Sequence, residues 1–415
     1  MRKKVLMICQ NYYPEIGSAA NRMKNIHTLL LQKGYEVTVL TSDPSYPNRN
    51  LYKKKEFWDE NISEENTIRV KTRTRKYTRN MLNRLFLYLE VTLKFVLSIL
   101  RMKKEYDFIF VSTPPIFSGL AGVIAKKKLK VPLILDVRDL WPDSLLGVGV
   151  FTNRYIIKFA HLLEKYLYKK ADEIIINSEY FKEHMMNKGI EETNISFMPN
   201  SLTEEEMTYH ERHEHNETNH VSVVYTGNIG LAQDIVKLLT IAERLKENRN
   251  ITFNIIGYGI QAKEVKRLIK EKGLMNIHLH TAMSRKRTLQ QIAAADIAYV
   301  SLVQKDVFKT VLPGKLIDYM GMKTPIVGDV SGYAAKMMNV ANCGLVATDK
   351  SVDQLCENIL TLANNPKLRL ELGMNGYEFA KKNWCWNTNI EVLTTMMEGL
   401  DDKEGMYVCM ESLHQ

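Results

Sequence analysis

Residues 4–42, KVLMICQNYYPEIGSAANRMKNIHTLLLQKGYEVTVLTS, contain a strand–helix–strand unit that recurs along the chain. The apolar run 4–9 predicts a buried strand, and residues 18–33 predict a helix that ends at Gly34. Residues 36–42 predict a second strand. Both strands are continuously apolar, which is typical of parallel strands covered on two faces by helices. The stretch therefore predicts a doubly wound α/β fold.

The same pattern fills most of the sequence. Further strands are predicted in FIFVST (108–113), PLILDVRD (132–139) and EIIINS (173–178). After a polar stretch the pattern restarts, with strands in VSVVYTGNIG (221–230), ITFNIIGYG (251–259), NIHLHTA (276–282), IAYVSL (297–302), TPIVGDV (324–330) and CGLVAT (343–348). The predicted organisation is an N-terminal Rossmann-like domain at 1–200, a linker at 201–220, a second Rossmann-like domain at 221–383, a helix at 384–400 and a loose tail at 401–415.

Composition narrows the classes of partner and compartment. The 415 residues carry a net charge of +10 and an isoelectric point near 9.1, which indicates an anionic partner. The five cysteines have no CxxC spacing and suggest neither a disulfide framework nor a zinc site, so the cytosol is expected. The linker holds His210, His213, His215 and His220. A metal site there is one interpretation, and a solvated linker is the better one.

Residues 69–104 form a strongly basic segment. The segment holds eleven Lys and Arg residues and one acidic residue, Glu90. Its second half places apolar residues at 82, 85, 86, 89, 93, 96, 97 and 100, the spacing of a helical stripe. One interpretation is a helix packed on the first domain, and the other is a face that lies on anionic lipid. Because stacking aromatics are missing, nucleic acid is not the expected partner.

Three glycine-containing turns follow predicted strands and suit phosphates or sugars. They are YYPEIGSAANR (12–22), GNIG (227–230) and GYG (257–259). A fourth turn, at Pro313 and Gly314, opens a predicted helix over 315–322. Lys315 and Asp318 lie on its first turn, where a lysine suits a phosphate and a carboxylate suits a sugar hydroxyl. The alternative is an ordinary ion pair between these two side chains.

A group of charged residues follows the strand in LILDVRDLWPDS (133–144). Asp136 lies within the strand, whereas Arg138 and Asp139 come at its carboxyl end, where α/β sheets bind ligands. Arg138 could pair with phosphate, and Asp139 could position or deprotonate an acceptor hydroxyl. A buried Arg–Asp structural pair is the alternative. No nucleophile elbow, Walker A loop or HExxH motif supports a hydrolase or NTPase.

These motifs together resemble the retaining glycosyltransferases of family 4, which have the GT-B fold of two Rossmann-like domains facing a cleft. The resemblance is to enzymes of bacterial capsule, O-antigen and exopolysaccharide assembly. It is carried by the segments YYPEIGSAANR, DVRDLWPDSL, NISFMPNS, VVYTGNIG, FNIIGYG, ADIAYVSL and LPGKLIDYMGMKTPIV. It implies metal-independent transfer from a nucleotide-sugar, here a UDP-sugar, to a lipid-linked (polyprenyl diphosphate) sugar.

The resemblance also implies residue roles. Asp318 would bind the ribose, Lys315 would stabilise the diphosphate leaving group, and Asp139 would act with Lys315 in catalysis. The expected donor site comprises Gly17, Ser18, Gly227, Asn228, Gly230, Gly257, Tyr258, Gly259, Pro313, Gly314, Lys315, Leu316 and Asp318. The expected acceptor site comprises Arg22, Arg138 and Asp139. No metal ligand is expected, and the final helix would cross back onto the first domain.

The sequence departs from the family pattern at several positions. Asp318 replaces the usual glutamate, and Thr310 stands where the family's first paired glutamate falls. Gly17-Ser18 replaces Gly-Gly, and the basic residue usually found after the GNxG turn is missing. The expectation remains a cytoplasmic glycosyltransferase, peripheral on the inner membrane through 69–104. A nucleotide-sugar epimerase, with His27 or His161 in the cleft, and a non-catalytic GT-B partner subunit are the alternatives.

Overall fold

The computed structural model describes residues 2–58, 62, 64–73, 81–103, 105–149, 153–209, 220–349 and 351–412. The first domain contains a parallel sheet of seven strands in the order β3-β2-β1-β4-β5-β6-β7. Its strands are β1 (Lys4–Ile8), β2 (Glu36–Ser42), β3 (Thr67–Val70), β4 (Phe108–Thr113), β5 (Leu133–Val137), β6 (Glu173–Ile176) and β7 (Ile195–Phe197). Nearly every residue of β1, β2, β4, β5 and β6 is buried, as two covered faces require.

Helices cover both faces of this sheet. The helices before the second domain are α1 (Ser18–Gln32), α2 (Met81–Arg101), α3 (Ile116–Leu129), α4 (Asp143–Gly147), α5 (Arg154–Lys170), α6 (Phe181–Met186) and α7 (Glu204–Met207). Buried side chains of α2, α3 and α5 share one apolar cluster with alternate residues of β1, β4 and β5. Buried side chains of α1 share the opposite cluster.

The second domain repeats this architecture with six parallel strands in the order β10-β9-β8-β11-β12-β13. Its strands are β8 (Val221–Asn228), β9 (Ile251–Tyr258), β10 (Ile277–His280), β11 (Ile297–Ser301), β12 (Ile326–Asp329) and β13 (Gly344–Val346). Its helices are α8 (Ile235–Arg244), α9 (Ala262–Glu271), α10 (Arg285–Ala293), α11 (Asp306–Lys309), α12 (Gly314–Gly321), α13 (Gly332–Ala341), α14 (Val352–Ala363) and α15 (Pro366–Asn383). The predicted pair of doubly wound parallel sheets is confirmed.

The last helix, α16 (Trp386–Ser412), returns to the first domain. Its residues Trp386, Ile390, Leu393 and Met397 are fully buried in the cluster that holds α1 and β1. The two chain crossings between the domains lie side by side. The Leu202 N–H donates to the Trp384 carbonyl, and the Leu202 carbonyl accepts from the Trp386 N–H, both at 2.9 Å. The tail predicted at 401–415 is corrected, because the helix continues through it to Ser412.

Two strands, β3 and β7, were not predicted from the sequence. β3 lies at the sheet edge and reads Thr-Ile-Arg-Val, so only Val70 is buried. β7, at the other edge, has three residues. Short, half-exposed edge strands give a weak apolar signal. Within the described residues, none of the helices is long and apolar enough to cross a membrane. Residues 74–80 and 104 of the basic segment and 210–219 of the linker lie outside the described residues.

Candidate active site

The two sheets turn their carboxyl edges toward a common cleft of about 410 Å³. Loops after β1, β5 and β6 line it from the first domain, and loops after β8, β9, β10 and β11 line it from the second. The following predicted site residues line this cleft: Gly17, Ser18, Arg22, Arg138, Gly227, Asn228, Gly257, Tyr258, Pro313, Gly314, Lys315 and Asp318. Parallel α/β sheets bind ligands at this edge, so the cleft is the candidate active site.

Lys315 presents a buried and unpaired ammonium to the cleft. Its Nζ is shielded from solvent and has no hydrogen-bond partner among the described residues. The Nζ lies 3.8 Å from the centroid of the Tyr225 ring. Burial lowers the pKa of Lys315 to about 7. An ammonium with open donors on the first turn of α12, where a helix also has N–H groups without partners inside the helix, suits an anionic ligand.

Asp318 does not pair with Lys315, so the predicted ordinary ion pair is wrong. Its Oδ1 and Oδ2 instead accept from Nη2 and Nη1 of Arg285, both at 2.8 Å. Arg285 Nε donates at 2.8 Å to Glu206, which closes the capping box of α7 with Thr203. Each Asp318 oxygen retains a lone pair that can accept a hydroxyl. The sequence analysis missed Arg285, because an arginine at a helix start carries no motif.

Glycine permits the close loop packing on the second-domain side. Gly227 has φ +109°, and a Cβ there would lie 3.7 Å from Lys315 Nζ. A Cβ on Gly257 would lie 2.2 Å from the Gly227 carbonyl oxygen, so only glycine fits. Three predicted donor residues do not line the cleft. Gly230 and Gly259 pack against the 228–229 turn, and Leu316 is buried in the apolar core.

The two domains touch across the rim of the cleft. Tyr46 OH donates at 3.2 Å to Oδ1 of Asn228, and Tyr258 OH donates at 3.4 Å to the Ile16 carbonyl. The Tyr46 and Tyr258 rings meet edge to face, with centroids 5.4 Å apart. Gly17 has φ +119°, and a Cβ there would lie 3.0 Å from Tyr258 OH. The glycine of the first loop therefore allows the second domain to approach.

A buried ion-pair network forms the first-domain wall. Arg22 donates to both oxygens of Asp136, with Nη2–Oδ1 at 2.8 Å and Nε–Oδ2 at 3.3 Å, and both side chains are fully buried. Its Nη1 donates to the Pro199 carbonyl. Arg138 donates through Nε to Ser112, which in turn donates to Asp136. A buried structural Arg–Asp pair exists, but it joins Asp136 to Arg22 and, at 3.7 Å, to Arg138, and it does not involve Asp139.

In the structure, Asp139 lies outside the cleft. Its side chain lines a separate small cavity with Trp141 and Tyr168, and burial raises the pKa of its carboxyl group. The predicted contact of Asp139 with an acceptor hydroxyl in the cleft is therefore wrong. The strand ends at Val137, so the alternation of a strand does not fix the direction of the Asp139 side chain.

Four further polar groups that line the cleft have no partner within the described part of the chain. They are the amide oxygens of Asn177, Asn200 and Gln233 and the indole Nε1 of Trp386. A buried polar atom without a partner is destabilising unless a ligand or water satisfies it. Amide and indole groups suit hydroxyls rather than charges. The cleft thus combines one open cation with neutral groups, a set that matches a phosphorylated sugar.

Histidines do not contribute to the cleft in the described residues. His27 is buried against Tyr12, with Nδ1 2.8 Å from the hydroxyl, and burial lowers its pKa to about 4. His161 contacts Asp143 and Glu164 instead. The epimerase alternative therefore gains no catalytic histidine here. Of the linker histidines, His210, His213 and His215 lie outside the described residues, and His220 contacts Thr252. Across the described ranges, no cluster of three metal-binding side chains occurs.

Comparison with known proteins shows that each half of the chain matches a glycosyltransferase family model. Residues 17–201 match the glycosyl transferase 4-like domain, and residues 206–379 match the glycosyl transferases group 1. The chain belongs to the GT-B glycosyltransferases. This glycosyltransferase is 20% identical over 332 residues to the putative colanic acid biosynthesis glycosyl transferase WcaI of Escherichia coli, covering 77% of this chain and 81% of the relative.

Solved structures share the fold of this glycosyltransferase. WaaG, a glycosyltransferase involved in lipopolysaccharide biosynthesis, superposes with a TM-score of 0.66 at 15% identity, covering 95% of this chain and 100% of WaaG. HepE from Anabaena, in complex with UDP and glucose, gives a TM-score of 0.68 at 14% identity over 96% and 100% of the two chains. The predicted GT-B architecture is confirmed.

Proposed function

We propose that this glycosyltransferase moves a sugar from a UDP-sugar to a lipid-linked sugar acceptor, with retention of configuration, in surface polysaccharide biosynthesis of the capsule or O-antigen type. The observation that carries the proposal is the buried, unpaired Nζ of Lys315 at the start of α12, in the cleft between the domains. The UDP in the HepE complex and the colanic acid and lipopolysaccharide roles of WcaI and WaaG support the donor and the pathway class.

In this proposal the second domain holds the nucleotide. The diphosphate lies against Lys315 and the N–H groups that open α12, and the ribose hydroxyls bind the free lone pairs of Asp318. As the bond to the sugar breaks, negative charge grows on the diphosphate. The Lys315 ammonium and the α12 N-terminus stabilise that charge without a metal ion. Because the ammonium already lies in a dry site, its electrostatic effect is larger than in water.

The acceptor sugar would enter from the first domain. Arg138 lines that wall with its guanidinium fixed by Ser112 and the Pro114 carbonyl. Asn177, Asn200 and Trp386 offer groups for sugar hydroxyls. Retention requires that the acceptor hydroxyl attack from the face that the diphosphate leaves. Thr310, at the position of the family's first glutamate, hydrogen-bonds through Oγ1 to the Val307 carbonyl and brings no carboxylate.

A panel of nucleotide-sugars tests the donor. We expect one UDP-sugar to bind in calorimetry, and to be hydrolysed slowly without acceptor, whereas ADP- and GDP-sugars bind more weakly. An Asp318→Asn variant should weaken UDP-sugar binding roughly tenfold through lost hydroxyl bonds, and the control Asp353→Asn, an exposed pair with Arg244, should not. Failure of every donor to bind would instead support the non-catalytic partner subunit, to which Thr310 points.

The helix α2 supports the lipid part of the proposal. It buries Leu87, Val91, Phe95 and Ile99 against the sheet. A second apolar row stays exposed: Phe86, Leu89, Leu93, Leu97 and Leu100. The buried row packs α2 on the first domain, and the exposed row supports the lipid interpretation of the same helix. We propose that the exposed row places the enzyme on the cytoplasmic face of the membrane.

Vesicle binding tests this placement. Replacing Phe86 and Leu93 with glutamate should weaken binding to anionic vesicles at least tenfold, since each removes an apolar anchor that is about 60% exposed. Raising the salt concentration should weaken wild-type binding as well. Vesicle binding that is unaffected by the two substitutions and by salt would contradict the placement.

A further inference from the structure

A second helix of the first domain also exposes an apolar row. In α5, Tyr155, Phe159, Leu162 and Tyr166 are 79%, 66%, 58% and 45% exposed. Spacings of four, three and four residues place them in one row along the helix. The buried residues Ala160, Glu164, Leu167 and Tyr168 occupy the opposite face. A surface helix of a soluble domain usually puts polar residues in that outward row, so α5 is unusual.

Basic residues flank the apolar row of α5. Lys158, Lys165 and Lys169 follow one another along one side of it, at spacings of seven and four. A groove of about 530 Å³ runs beside this helix, and its lining includes Arg154, Lys158, Lys165 and Lys188. The one acidic residue of α5, Glu164, is buried and satisfied by His184 and Lys188. The exposed surface of α5 is therefore apolar and cationic.

The apolar rows of α2 and α5 lie on the same side of the molecule. Helix α3 packs between α2 and α5, and buried side chains of all three helices share one cluster under the sheet. Ile124 of α3 is also partly exposed, at 37%. Helix α5 begins near the carboxyl edge of the sheet, because it ends at Lys170, just before β6 begins at Glu173 on the opposite edge. The α5 row therefore starts on the cleft side.

We propose that α5 is a second lipid-contacting helix, which inserts its apolar row into a bilayer of anionic phospholipid. The lysines beside the row and the groove would then meet headgroup phosphates. An amphipathic helix that carries lysines beside aromatic and leucine side chains lies in the interfacial plane of a membrane. Two such helices with α3 between them would fix the tilt of the first domain on the membrane, which one helix alone leaves free to roll.

The charge of α5 disfavours a second copy of the chain as its occupant. A twofold contact through α5 would bring two rows of lysines together, and like charges repel across an interface. Anionic lipid complements the same surface. This inference rests on the proposed membrane placement and extends it to a segment outside 69–104.

The test compares charge variants of α5 with a matched control. In cosedimentation with vesicles of phosphatidylcholine containing about one third phosphatidylglycerol, Lys158→Gln/Lys165→Gln should bind roughly thirtyfold more weakly than wild type. The control Lys266→Gln/Lys270→Gln removes the same charge from exposed positions of α9 in the second domain and should bind as wild type does.

Apolar variants complete the test. Phe159→Glu/Leu162→Glu should lose binding to the same vesicles, whereas Val340→Glu/Leu370→Glu, which changes residues of similar exposure in the second domain, should keep it. UDP binding should be unchanged in all four variants, so its loss would mark failure of the donor site instead. Wild-type affinity in both α5 variants would overturn the proposal. So would a lipid-free dimer that Phe159→Glu/Leu162→Glu dissociates, because the row would then be a protein interface.

Discussion

The variant Lys315→Met should lose UDP binding and lower kcat/KM roughly 100- to 1000-fold. Methionine keeps most of the side-chain volume but removes the ammonium, which lies over the Tyr225 ring and which the proposal places against the diphosphate. Calorimetry with UDP and donor turnover measure the two effects. The control Lys336→Met, over the ring of Tyr180 and away from the cleft lining, should keep both. Undiminished turnover would place the diphosphate elsewhere.

The same substitution should raise the stability of the free enzyme. Burial lowers the pKa of Lys315 from 10.5 to about 7, so the unfolded chain binds the proton more tightly between these two values. The free energy of unfolding should therefore rise as the pH increases from 7 to 10.5. At pH 7 and below, the buried charge of Lys315 destabilises the folded state. Removing it should stabilise the fold by up to about 4 kcal/mol at pH 7, measured by urea denaturation.

UDP binding should depend on pH in the opposite sense. In the proposed donor site the diphosphate meets the charged ammonium, and the charged fraction of Lys315 in the free enzyme falls as the pH rises above about 7. Above that pH, binding takes up a proton, and the Kd should rise by up to about tenfold per pH unit toward pH 9. Calorimetry in buffers of different ionisation enthalpy would detect the proton. A Kd that stays flat over this range would show that Lys315 does not meet the phosphates.

The second large effect is expected from Arg22→Met. The substitution leaves Asp136 buried with Arg138, at 3.7 Å, as its nearest remaining cation, and removes the Arg22 donor from the Pro199 carbonyl. Breaking a buried ion pair from one side costs roughly 3–5 kcal/mol. Thermal and urea unfolding should report a loss of this size.

A surface pair of the same helix region provides the control. Lys33→Met breaks the exposed contact between Lys33 and Glu391, which should change stability by less than about 1 kcal/mol. If Arg22→Met keeps its stability but loses only acceptor turnover, the residue serves the acceptor rather than the fold. The expected result is the reverse: Arg22→Met should lower the stability of the fold and leave donor binding by the folded protein unchanged.

The fold could be predicted from the sequence because buried parallel strands consist of continuous apolar residues. All eleven strands expected in the two domains are present, and the edge strands β3 and β7 were missed, since half-exposed residues dilute the signal. The site was harder, because local patterns do not contain long-range partners. Lys315 could be placed at a helix start from Pro313 and Gly314, but its isolation depends on Arg285, 30 positions away, taking Asp318.

The first-domain wall shows the same limit. Asp136 and Asp139 stand three positions apart, and the sequence alone favoured the later one for the cleft. The structure instead pairs Asp136 with Arg22, 114 positions earlier, and leaves Asp139 beside Trp141 in another cavity. Exposed rows such as that of α5 are also invisible in sequence, because the same spacing describes a buried face.

The return of α16 makes the first domain discontinuous in sequence. Trp386, Ile390, Leu393 and Met397 fill one face of its sheet, yet they are synthesised after the entire second domain. During translation, residues 1–200 would therefore leave the ribosome with α1 and β1 incompletely covered. Their apolar face would stay exposed until α16 is synthesised. A fragment cut at the family boundary near residue 201 should be prone to aggregation, and a peptide carrying α16 should rescue it.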